Sequence, residues 1–168
     1  MADYMLNEKL NWEEIMKAPR VAGGHEDVMR VLFTGARVIA EWIESDYQGS
    51  EAFAYALSNG DVAILTDYFG SCSGCDSWED AGDESVRHLC STLANNAKIF
   101  GSGIEAFEYC HSVGTDPDSP ENFSKSAAMH LAPTLEAFTW ASEDLPLHIQ
   151  HQNLTLRNLV QFRLENGV

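Results

Sequence analysis

The chain has 168 residues, 45% of them hydrophobic, and sets ten Lys and Arg against 26 Asp and Glu, a net charge of −16. That length fits a single domain, residues 1–168, large enough to bury a core. The charge repels phosphate backbones and anionic membrane surfaces, so it argues against direct binding of nucleic acid or lipid and for attraction to a basic protein surface. Surface carboxylates also serve solubility alone, or a salt-adapted habitat. There is no apolar run long enough to span a membrane. Met1 to Leu6 has neither the basic nor the apolar region of a secretory signal. The expected compartment is therefore a reducing cytoplasm.

Asn11 to Met16 reads as a short helix with Asn11 as its cap, ending before Pro19. Gly23 and Gly24 break the chain, and a second helix is expected from about Glu26 to Phe33, closed by Gly35. A sheet follows. Val38, Ala40 and Trp42 alternate with Arg37, Ile39, Glu41 and Ile43, and Phe53, Tyr55 and Leu57 alternate with alanines. Asn59-Gly60, between Ser58 and Asp61, predicts a tight type I′ hairpin into a partner strand over 62–69. Asp83 to about Lys98 carries one apolar stripe of Val86, Leu89, Cys90, Leu93 and Ala97. Ile104, Phe107, Cys110 and His111 suggest a short helix. A loop from Gly114 to Pro120 leads to a helix capped by Ser119, which Pro133 ends or kinks, and a further helical segment runs from Leu135 to Trp140. The run 148–165 fits either period, and its composition favours helix. The expected fold is α+β: a small antiparallel three-stranded meander packed against several helices.

The densest chemistry lies just after the third strand. Cys72 and Cys75 have the spacing of a zinc knuckle, with Gly70 and Gly74 allowing the turn. Zinc needs two more ligands. His88, Cys90, Cys110 and His111 are the candidates, although Cys90 already belongs to an apolar stripe. The acids around the turn disfavour thiolate and hence redox catalysis. Asp67, Asp76, Glu79, Asp80, Asp83 and Glu84 form an acidic run that lacks a calcium-loop pattern. His130, beside an apolar stripe, reads as a core residue, and His148 and His151 lack a third partner. No complete catalytic set is legible.

Aromatic residues beside acids suit an interface for a basic partner. Asp46, Tyr47, Asp67, Tyr68, Asp76, Trp78, Glu79 and Asp80 are the expected binding residues, with Tyr47, Tyr68 and Trp78 as exposed anchors. The first expectation is a non-enzymatic binding or inhibitor protein without cofactor, engaging a basic surface such as that of a nucleic-acid-binding protein. The alternative is a zinc-stabilised protein or metal-dependent hydrolase centred on Cys72 and Cys75.

Overall fold

The computed structural model describes residues 6–20, 25–44, 48–70, 78, 80–119 and 123–142. Four strands form an antiparallel sheet in sequence order: β1 (Arg37–Ile43), β2 (Gly49–Ala56), β3 (Val62–Phe69) and β4 (Lys98–Phe100). Five α-helices accompany them among the described residues: α1 (Trp12–Ile15), α2 (Glu26–Met29), α3 (Asp83–Asn96), α4 (Gly103–Thr115) and α5 (Lys125–Ser142). The class is α+β, as expected, but the sheet has one more strand than the meander. β4 is three residues long, too short to show a period, and pairs only with Val62 to Ile64.

Both faces of the sheet are covered. Ala52, Ala54, Val62 and Ile64 pack under α4 and α5, against residues such as Phe107, Cys110, Leu131 and Leu135. Phe53, Tyr55, Ala63 and Leu65 pack against the N-terminal segments and α3, with Met29, Leu32, Val86, Cys90 and Leu93. Small residues on one face of β2 and rings on the other fit this pair of layers. α4 and α5 approach closely: a Cβ on Gly103 would lie 2.7 Å from Thr139 Oγ1. β1 carries a bulge between Val38 and Ala40, which re-aims the strand midway along its pairing with β2.

The hairpin between β2 and β3 differs from the expected type I′ turn. Ala56 pairs with Val62, the Leu57 N–H donates to the Asp61 carbonyl at 2.9 Å, and the Gly60 N–H donates to the Leu57 carbonyl at 3.0 Å. The loop therefore holds three residues, Ser58, Asn59 and Gly60, with Gly60 left-handed at φ +92°. That geometry belongs to a type I turn followed by a left-handed glycine, and the Asn59 side chain braces it by accepting from the Asp61 N–H at 3.1 Å.

Other boundaries also move. α2 ends at Met29 rather than Phe33. α3 matches its stripe and starts after Gly82. α4 is longer than expected. Ser102 caps it by accepting from the Glu105 N–H, and Glu105 accepts from the Gly101 N–H at 3.0 Å. α5 starts at Lys125, not after Ser119, and continues through Pro133 as one helix. Pro133 is exposed on the solvent side, where the lost backbone bond is replaced by water most easily. The run 148–165 lies outside the described residues.

Candidate functional site

The face of the sheet that carries Phe53, Tyr55 and Leu65 ends in two carboxylates. Alternation along β2 puts Glu51 in line with Phe53 and Tyr55, and the hairpin register sets it directly opposite Asp67 of β3. His25, the residue before α2, reaches over this end. Its Nδ1 lies 3.0 Å from Asp67 Oδ2 and 3.4 Å from Glu51 Oε1. Trp78 packs edge-on against the imidazole at 5.2 Å between ring centroids, at an interplanar angle of 85°. One nitrogen and two carboxylate oxygens thus converge within 4.8 Å of one another.

Glu51 is the unusual member. Its side chain is 0% exposed, and neither oxygen has a hydrogen-bond partner. The single proton that Nδ1 can carry is directed at the nearer Asp67, so the 3.4 Å approach to Glu51 is a charge contact rather than a hydrogen bond. Burial pushes the Glu51 carboxyl above the usual carboxylate range, and His25 offsets this only in part. Burial alone would depress His25. Asp67 and Glu51 outweigh it and hold the imidazole up at about 9. Deeper along the same face the Tyr55 hydroxyl donates to the Met29 carbonyl at 2.7 Å, which ties β2 to α2 just beyond His25. Burial, with the Glu51 charge second, raises its phenol well above the usual value. Chemically the cluster can hold a proton between anions or ligate a cation.

Ser50, Thr66 and Tyr68 alternate with Glu51 and Asp67 along the same strands. They line a cleft of about 380 Å³ with Phe123, Ser124 and Ala127 at the start of α5. Tyr68 is 59% exposed, as an anchor residue would be, and Asp80 is exposed. Trp78 is 4% exposed and therefore not an exposed anchor; its indole belongs to the core beside His25. Asp67 is not a free rim carboxylate either, being bonded to His25. Asp46, Tyr47, Cys72, Cys75, Asp76 and Glu79 lie outside the described residues.

The further zinc ligands considered from the sequence do not converge. Cys90 lies in the core on the α3 side and Cys110 in the core on the α4 side of the sheet. Burial pushes their thiols up to about 11 and about 12. His88 and His111 are exposed on those two helices. His130 is exposed as well, not a core residue. Asp83 bonds to Arg20, which also donates to the Ala81 carbonyl.

His25 and Glu51 were not singled out by sequence reasoning. Glu51 had a usable signal: an acid in phase with Phe53, Tyr55 and Leu57 on a buried face. His25 had none beyond its place after Gly23-Gly24. Compared with protein-family models, curated proteins and solved structures, the chain matches none.

Proposed function

We propose that this chain is a non-enzymatic binding protein that engages a basic partner surface, such as that of a nucleic-acid-binding protein. The observation that carries the reading is how the described cations are used. Arg37 and Arg87 lie over the rings of Phe138 and Trp12, at 5.7 Å and 4.8 Å, and Lys125 donates to the Pro117 carbonyl. None of these three is set against a carboxylate; Lys17, Arg20 and Arg30 do pair with acids, but with ten Lys and Arg against 26 Asp and Glu most of the acids stay uncompensated. Glu105, Glu108, Asp116 and Asp118 are exposed along and after α4, and Tyr68 stands out at the sheet end. Acids of this kind raise the on-rate for a basic partner, and an exposed tyrosine supplies the anchor.

The test is capture from host lysate on immobilised chain, followed by reconstitution with the purified partner. A basic partner is expected, with affinity falling steeply as salt shortens the screening length from about 10 Å at 0.1 M. Tyr68→Ala should weaken the reconstituted complex without altering the melt of the free chain. A partner held equally at high salt, or no partner at all, refutes the reading. A second reading, a metal-supported protein, is favoured by one observation, the convergence of His25, Glu51 and Asp67.

A further inference from the structure

We propose that His25 Nδ1, Glu51 and Asp67 form a ligand set for one divalent first-row transition-metal ion. The proposal is independent of the acidic-surface reading. Its starting point is Glu51, a carboxylate with no exposure and no hydrogen bond, aimed at an imidazole. A plain ion triad accounts for it poorly. Even with the imidazole protonated, two ionised carboxylates leave one negative charge uncompensated beside Phe53, Tyr55 and Trp78, and a protonated Glu51 leaves a buried hydroxyl without an acceptor. An unpaired buried charge is costly, and an apolar residue at position 51 would suit the surrounding core better. A dication with a neutral imidazole balances the two carboxylates without remainder.

The two distances from His25 agree. Two donors each about 2.1 Å from a common ion stand about 3.0 Å apart at a right angle and about 3.4 Å apart at a tetrahedral angle. His25 Nδ1 lies 3.0 Å from Asp67 and 3.4 Å from Glu51. The two carboxylate oxygens lie within 4.8 Å of each other and must stand at about 4.2 Å or less for one ion to replace the Nδ1 proton, so the site requires them to close by about 0.6 Å at most. The three donors come from three segments that the fold already fixes: two paired strands in register, and the residue before α2, which the Tyr55–Met29 bond ties to β2. One nitrogen and two carboxylates suit manganese, iron, cobalt or zinc, whereas magnesium and calcium prefer oxygen throughout. Three protein ligands leave further positions for water or for an exogenous donor.

The test uses the full chain, stripped with chelator and titrated separately with Co²⁺ and Mn²⁺. Calorimetry gives stoichiometry and affinity, and the Co²⁺ spectrum gives donor type. One ion per chain is expected, without a thiolate-to-cobalt charge-transfer band. Loss of a supporting residue around a metal site already weakens binding about 10–100-fold, so Glu51→Gln, which removes a direct ligand, should weaken it by roughly 100-fold or more. This variant keeps the shape of the side chain and removes a buried charge, so it should fold; Asp67→Asn is the second variant should it not. The double variant Cys72→Ser with Cys75→Ser should bind as the parent does. No uptake by the parent chain overturns the proposal, as does uptake unaffected by Glu51→Gln and Asp67→Asn. A thiolate band that disappears in the double cysteine variant overturns it too.

Discussion

Raising the pH of the metal-free protein from 6.5 to 9 should remove a substantial part of its stability through His25 alone. The folded imidazole is held at about 9 against an ordinary value of 6.5. Its stabilising contribution is therefore complete below about 6.5, where the unfolded chain is protonated too, and disappears as the pH rises through about 9. A shift of that size corresponds to about 3 kcal/mol, a large fraction of the 5–15 kcal/mol typical of a domain. At roughly 2–4 °C per kcal/mol for a chain of this length, the melting temperature should drop by on the order of 10 °C. Glu51 adds in the same direction, with its loss beginning as the pH rises past the ordinary carboxylate value, since its carboxyl too is raised on folding. The assay is urea unfolding followed by circular dichroism across this window with chelator present, for the parent chain and for His25→Gln. The variant should start lower and stay nearly flat. A parent whose unfolding free energy does not fall with pH refutes the reasoning, and so does a His25→Gln chain with the parent's slope.

Without metal, Glu51→Gln should be at least as stable as the parent at pH 8, by about 1 kcal/mol, because the ionised carboxylate is buried without a hydrogen bond; chemical denaturation measures it. Gly60→Ala should cost about 1 kcal/mol, since φ +92° is strained for any residue with a Cβ. Gly103→Ala should cost about 1–3 kcal/mol by forcing α4 away from Thr139 and Phe138 of α5. A thermal melt reads both glycine variants, and a neutral result for Gly103→Ala would contradict the close helix approach.

Much of the fold was legible because its signals are local. The Asn-Gly pair marked the hairpin, alternation marked β1 to β3, and the apolar stripe from Val86 to Ala97 marked α3. β4 was not, since three residues paired to the start of β3 owe their strand state to that neighbour. Pro133 misled because a proline on an exposed helix face, flanked by Leu131 and Leu135 in the core, is tolerated where packing outweighs one lost backbone bond. The candidate site was harder still. Its three donors stand at positions 25, 51 and 67, and only the pairing of β2 with β3 and the return of the chain before α2 unite them. Trp78 looked like an exposed anchor among acids, but it is buried in the core on the α3 side of the sheet, edge-on to the His25 imidazole.

The three-residue loop at Ser58, Asn59 and Gly60 bears on how this cluster could be lost. β3 begins Val62-Ala63-Ile64-Leu65, apolar on both faces, so hydrophobicity alone resists a one-residue slip of this strand only weakly. The turn holds the register. With no change of sequence, a two-residue turn at Asn59-Gly60 would set Glu51 against Tyr68 and send Asp67 to the face under α4 and α5, while leaving most of the strand's apolar contacts available. A change of turn geometry at the surface, about 20 Å away by the rise of about 3.3 Å per strand residue, would thus act as a point mutation of the cluster. The length of this turn is as much a specification of the His25–Glu51–Asp67 geometry as the identities of the three residues.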